Sequence, residues 1–119
     1  MRKTANMFAT VGSVVAILGS LTLAPVSTSV ASAVDEGKKI AFNRKKGNCL
    51  ACHQIKGGKL AGNMGPPLQG MKRFTKKQLK DQIWDPTKRN PNTSMPPFGK
   101  NGILSSDEID KVVDFIHTL

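Results

Sequence analysis

Cys49 and Cys52 are the only cysteines of the chain, and a histidine follows the second, so Cys49-Leu50-Ala51-Cys52-His53 spells C-x-x-C-H. That pattern is the attachment signature of a c-type haem. Each thiol can add across one vinyl group, and two intervening residues match adjacent vinyls when the segment is helical. The next residue then brings its imidazole under the iron as proximal ligand. The motif therefore predicts one covalent haem c, with Cys49 and Cys52 as thioether anchors and His53 as an iron ligand. Other uses of the cysteines fit less well. A structural zinc site takes four ligands, and the only histidine besides His53 is His117, near the C-terminus. A thioredoxin-like C-x-x-C needs a βαβ setting, whereas this one sits in a Gly- and Lys-rich stretch.

The N-terminus reads as an export signal. Arg2 and Lys3 precede an uncharged stretch, Met7 to Ala24, which Pro25 breaks; small residues then lead to Ala31-Ser32-Ala33, an A-x-A cleavage site. The expected organisation is a cleaved signal peptide over 1–33 and a single domain over 34–119, placed in the periplasm, where haem c is attached. An uncleaved membrane anchor is the competing reading, although the stretch is borderline in length for a span. No later segment could span a membrane. Without Arg2 and Lys3, 16 basic residues face 8 acidic ones. In a periplasmic protein that balance points to acidic protein partners or anionic substrates, and not to nucleic acid. The bases fall in two groups, Lys38, Lys39, Arg44, Lys45, Lys46 and Lys72, Arg73, Lys76, Lys77, Lys80. They are either ordinary solvated charge or a positive rim around an exposed haem edge.

So short a domain, with no Tyr and one Trp, lacks material for a core of its own. A tethered porphyrin supplies that centre, and the apo-chain is expected to be largely unfolded. The polypeptide reads as all-α, three helices and long loops wrapped around one haem. The first helix is expected from Asp35, as N-cap, to Asn43, burying Ile40 and Ala41; Gly37 within it implies close packing against something. The second runs from Thr75 to about Asp85, with Thr75 and Gln78 as a capping box, and Pro86 ends it. The third starts from the capping box Ser105/Glu108 and carries Ile109, Val112, Val113 and Ile116 at i, i+3, i+4, i+7. The Gly37 face is its natural partner. No strand, repeat or second domain is evident.

The iron needs a sixth ligand or an open site. Met95 lies in Ser94-Met95-Pro96-Pro97-Phe98-Gly99, far enough after His53 for the chain to reach the opposite haem face, and the prolines are expected to hold the thioether without help from hydrogen bonds. Met64, in Gly62-Asn63-Met64-Gly65-Pro66-Pro67-Leu68, is the rival. That loop suits the histidine side better, where a proline carbonyl, that of Pro66, can accept from the other ring nitrogen of His53 and fix its tautomer. Met64 is then an apolar packing residue, Met71 partly exposed, and His117 a surface histidine. The expected metal ligands are His53 and Met95; no catalytic acid, base or nucleophile is evident.

On these residues the domain resembles the class I cytochromes c, through the Gly37 helix, Cys49-Leu50-Ala51-Cys52-His53, Gly65-Pro66-Pro67-Leu68, a Met-Pro loop and a C-terminal helix. More narrowly it resembles the SoxX family, the mono-haem subunits of SoxAX sulfur-oxidation complexes. The blocks Lys46-Gly47-Asn48-Cys49-Leu50-Ala51-Cys52-His53, Ala61 to Leu68, and Asn92-Thr93-Ser94-Met95-Pro96-Pro97-Phe98-Gly99-Lys100 carry that likeness. The resemblance implies a class I cytochrome c fold and a heterodimer with a SoxA-like haem subunit, where thiosulfate is joined oxidatively to a cysteine of the carrier SoxYZ. Electrons then pass through the SoxX-like haem to a soluble acceptor cytochrome c. Two alternatives stay open. One is a free-standing periplasmic cytochrome serving an oxidase or photosynthetic reaction centre. The other is an open-site enzyme or ligand sensor in which Met95 leaves the iron free.

Overall fold

The structure, a computed structural model, describes residues 27–119. The expected leader stretch Met7 to Ala24 lies outside the described residues. Three helices follow in order: α1 (Ser27–Phe42), α2 (Lys76–Trp84) and α3 (Ser106–Ile116). Short 3-10 turns cover Cys49–Ala51, Met71–Arg73 and Pro86–Lys88. The described residues contain no β-strand, only one isolated bridge between Ile55 and Leu68. The all-α reading holds.

α3 organises the core because its apolar positions recur with the helical period. Ile109 and Val112 are fully buried, and Val113, Phe115 and Ile116 are nearly so. Each such side chain stabilises the fold by about 1.5–3 kcal/mol through apolar burial. Ser105 caps the helix as expected: its hydroxyl accepts from the Glu108 N–H at 3.2 Å, and its own N–H donates to the Glu108 carboxylate at 3.0 Å. Asp107 and Glu108 also place negative charge where the helix dipole is positive.

α1 crosses α3 at the expected glycine. A Cβ on Gly37 would stand 1.9 Å from the Lys111 carbonyl oxygen, so only glycine permits this approach. A glycine inside a helix costs about 1 kcal/mol against alanine, which the close contact offsets. Ala41, one turn on, is fully buried, and Phe42 meets Phe115 edge-to-face with ring centres 5.8 Å apart. Glu36 and Lys111 pair across the same crossing. Asp35 is not an N-cap, however: α1 is already helical at Ser27, the first described residue, and continues through the expected cleavage site, so Asp35 is an exposed residue within the helix. No proline or glycine lies between Ser27 and Glu36 to stop the helix sooner.

α2 has the expected cap, Thr75 N–H donating to Gln78 Oε1 at 2.8 Å and Gln78 N–H to Thr75 Oγ1 at 3.2 Å. It buries Leu79 and Ile83 and ends at Asp85-Pro86. No helix among the described residues is long and apolar enough to cross a membrane.

Candidate functional site: a cavity between His53 and Met95

α2, α3 and the two long loops enclose a cavity of about 850 Å³. Leu79 and Ile83 of α2 and Val112 and Ile116 of α3 form its apolar wall, while α1 contributes nothing to its lining. The same α3 side chains thus belong to the core on one side and to the cavity on the other. Cys49, Cys52, His53 and Met95 all line this space.

The Cys49 end is shaped by local backbone bonding. Asn48 adopts the left-handed conformation, φ 45°, which asparagine tolerates better than most residues. Its N–H donates to the Asn43 carbonyl at 3.0 Å, turning the chain so that a single 3-10 turn starts at Cys49. The His53 N–H donates to the Cys49 carbonyl at 2.9 Å, fixing cysteine and histidine on one turn. Neither cysteine is in a disulfide, and before any attachment desolvation pushes the Cys49 thiol up to about 11. At neutral pH that thiol is neutral and apolar in character, unlike the low-pKa thiolates of redox motifs.

His53 Nδ1 lies 2.7 Å from the Pro66 carbonyl oxygen. A carbonyl can only accept, so Nδ1 carries the hydrogen and Nε2 keeps its lone pair for a ligand. Gly65 makes this contact possible, because a Cβ there would stand 2.4 Å from His53 Cε1. The loop is closed behind the ring by Gly65 N–H to the Cys52 carbonyl, 2.8 Å, and Leu68 N–H to the Gln54 carbonyl, 2.9 Å.

Met95 is half-buried and faces the cavity from the loop after α2. Its N–H donates to Thr93 Oγ1 at 3.1 Å. Its sulfur does receive a hydrogen bond, contrary to expectation: Gln82 Nε2 lies 3.8 Å from Sδ. The downstream loop is strapped to the end of α2, with Phe98 N–H to the Ile83 carbonyl at 3.2 Å, and Gly99 and Lys100 N–H to the Trp84 carbonyl at 3.2 and 3.1 Å. These carbonyls belong to the last helical turn, which has no partners within the helix. Asp85, only 4% exposed, receives the Thr87 N–H and hydroxyl and pairs with Lys100 at 3.2 Å. The Thr87 hydroxyl first, and Lys100 as well, hold its carboxyl below the usual carboxylate range.

The remaining methionines differ from expectation. Met64 is 72% exposed at the edge of the cavity and not packed within protein. Met71 is buried, because its N–H donates to the Leu119 carbonyl at 3.0 Å and draws it under the end of α3. His117 caps the C-terminus of α3, half-buried and away from the cavity lining.

The basic residues divide unequally. Arg44, Lys45, Lys46 and Arg89 line the cavity, and no acidic residue does. Of the second group, Lys76, Lys77 and Lys80 are neutralised by Asp114, Asp81 and Asp110, and none of the five reaches the cavity. Lys46 pairs with Glu108 of α3, so the positive charge on the lining rests on Arg44, Lys45 and Arg89. Arg89 and Gln82 escaped the sequence reading, since neither stands in a motif; only the place of Gln82 beside Leu79 and Ile83 on α2 hinted at it.

A cavity walled by α2 and α3 and lined by both C-x-x-C-H and a Met-Pro loop, with α1 packed on α3, defines a class I cytochrome c, an electron-transfer protein with haem c as its cofactor. Residues 32–116 match the family described as cytochrome C oxidase, cbb3-type, subunit III, and the chain belongs to that family. Within the class it is SoxX-like. The crystal structure of SoxXA from P. pantotrophus is similar at a TM-score of 0.64 and 30% identity, covering 71% of this chain and 79% of that one. An uncharacterized lipoprotein of Aquifex aeolicus is 38% identical over 76 residues, 61% of this chain and 37% of that protein. The cbb3-type cytochrome c oxidase subunit CcoP of an Azospirillum species is 31% identical over 104 residues, 70% of this chain and 30% of that protein. The chain spans about a third of the length of these two curated relatives.

The residues fit the cofactor. The cavity is large and apolar, two free thiols and an oriented imidazole share one turn, and a thioether faces in from another loop.

Proposed function

We propose that Cys49 and Cys52 bind one haem c through thioethers, that His53 Nε2 and Met95 Sδ are its two axial ligands, and that the chain is the electron-transfer subunit of a SoxAX-type complex. When bound, the haem supplies a one-electron iron couple. Pro66 holds the His53 ring in the Nδ1–H tautomer and makes its other nitrogen a better donor. Met95 supplies a neutral sulfur, and Met/His ligation raises the potential toward that of an electron acceptor. The apolar wall of α2 and α3 keeps water away, so gaining or losing an electron needs little rearrangement.

The observation that carries the complex is the likeness to SoxXA, which extends over most of that chain. In this reading a SoxA-like haem subunit passes electrons from the oxidative coupling of thiosulfate to a SoxYZ cysteine, and a soluble cytochrome c takes them away. The positive lining residues Arg44, Lys45 and Arg89 favour acidic partners. Residues 1–33 act as a cleaved signal, placing the domain in the periplasm. The family match and the Azospirillum relative favour a second reading, a cytochrome that feeds a terminal oxidase.

Two experiments test this. Tagged protein drawn from native periplasm should co-elute with a second, larger haem protein; a small red monomer favours the oxidase-linked shuttle. Met95→Ala should abolish the long-wavelength sulfur-to-iron absorption, lower the potential, and let the reduced protein bind carbon monoxide. An unchanged low-spin spectrum removes Met95 from the ligand set and reopens the ligand-sensor reading.

A further inference from the structure

Gln82 occupies the last full turn of α2, on the side that faces the cavity, next to the buried Ile83. Its half-buried side chain ends 3.8 Å from Met95 Sδ. A thioether sulfur has lone pairs and no hydrogen, so only the NH₂ end of the amide can face it. Met64, Met71 and Met95 all line the cavity, and among them only the Met95 sulfur receives such a bond.

Two lone pairs on one sulfur permit two partners. With one aimed at iron, the other remains for the Gln82 amide. The bond restricts rotation of the Met95 side chain, whose long unbranched arm is otherwise flexible. It also draws electron density from the sulfur, which weakens donation to the metal, and weaker donation disfavours the oxidised iron more than the reduced iron. The donor stands on a helix whose end also anchors the Phe98–Lys100 backbone, so sulfur and loop are referenced to one rigid element.

We infer that Gln82 is the positioning residue of the sixth ligand, its amide holding Met95 Sδ toward the iron and raising the reduction potential of the site. This rests on the reading of Met95 as ligand, and the Met95→Ala spectrum tests that reading separately.

The experiment is potentiometric titration of the haem-loaded full chain as wild type, Gln82→Leu and Gln82→Glu, with the sulfur-to-iron absorption followed alongside. Gln82→Leu removes the donor with little change of size. Its potential should fall below wild type while the absorption persists, moved in wavelength. Gln82→Glu keeps the shape but can donate only when its carboxyl carries a proton. Its potential should lie below wild type at alkaline pH and return toward wild type in acid. Because a carboxylate beside the iron lowers the potential by its charge alone, the uncharged Gln82→Leu decides: a wild-type potential and an unmoved absorption in that variant overturn the inference. So does a wild-type potential in both variants at every pH. If Met95→Ala leaves the wild-type absorption intact, the ligand reading itself fails and the inference falls with it.

Discussion

The two walls of the cavity are held in different ways. On the His53 side the fixing bonds stay within one segment between α1 and α2: Asn48 to Asn43, His53 to Cys49, Gly65 to Cys52, His53 to Pro66. Each contact is made by backbone, or by a ring against backbone, and there is little slack. On the Met95 side the loop is fastened to a separate element, by three backbone bonds onto the end of α2, the Asp85–Lys100 pair and the Gln82 amide. The first wall is built within that one loop segment; the second depends on α2 as its anchor. Charge differs as well. Residues 37–80 contain 12 basic residues and no acidic one, so no carboxylate can brace the His53 wall from within its own segment. The Met95 wall has Asp85. One wall should therefore be brittle to a single added methyl group and the other should yield gradually.

The largest effect is expected at Gly65. Gly65→Ala places a Cβ 2.4 Å from the His53 ring, and neither the ring nor the Pro66 backbone can move aside without breaking the Nδ1 contact. Overpacking of this kind costs about 1–3 kcal/mol. The yield of haem-loaded protein should fall sharply and the melting temperature drop, as read by haem absorbance and circular dichroism. A fully loaded variant of wild-type stability would show that the His53 wall has slack after all.

Asp85→Ala probes the opposite wall. It removes the cap on the Thr87 N–H and hydroxyl and leaves Lys100 unpaired. Loss of such a cap costs about 1 kcal/mol. The sulfur-to-iron absorption should weaken on mild heating before the fold is lost, while the histidine stays bound. Simultaneous loss of both ligands would erase the proposed difference between the walls.

The division also marks what could be read from sequence. The His53 contact with the Pro66 carbonyl was legible because both partners stand in recognisable motifs, Cys49–His53 and Gly65–Leu68. α2 and α3 were legible because capping boxes and i, i+3, i+4 stripes are local too. The Gly37 crossing followed from a glycine that makes sense only under close contact. What escaped depends on the third dimension. The Gln82–sulfur bond, Arg89 at the cavity and burial of Met71 beneath Leu119 join residues that no short pattern links. The start of α1 was missed for another reason, since a good cap at Asp35 does not compel a helix to begin there.

Acid should separate the walls more gently. Asp85 is held below its ordinary 3.8, and Glu108 and Glu36 below 4.5, chiefly by hydrogen bonds from the Thr87 hydroxyl, Lys46 and Lys111 respectively. A depressed carboxylate stabilises the fold fully above its unfolded pKa, and that contribution is lost as pH falls through the folded value. Melting temperature should thus be flat from neutral pH down to about 4.5 and decline below it. Lys111 is raised above 10.5 by Glu36, so its contribution is full below 10.5 and fades as pH climbs beyond. The decline in acid should be shallower in Asp85→Ala, which has already lost one of the three carboxylates. An identical acid slope would mean that Asp85 adds nothing to the pH dependence.

Lys100→Ala should have the smallest effect. The lysine side chain is 58% exposed, and an ion pair with one exposed partner contributes at most about 1 kcal/mol. Asp85 keeps both Thr87 contacts, and the Lys100 N–H still reaches the Trp84 carbonyl, so the strap survives on its backbone bonds. Stability should fall by a few tenths of a kcal/mol, less in high salt. The spectrum should stay that of wild type. A large loss here, measured by denaturant titration at low and high salt, would mean that charge and not backbone fastens the Met95 loop. The second wall would then rest on one surface lysine, and it would be the more fragile of the two.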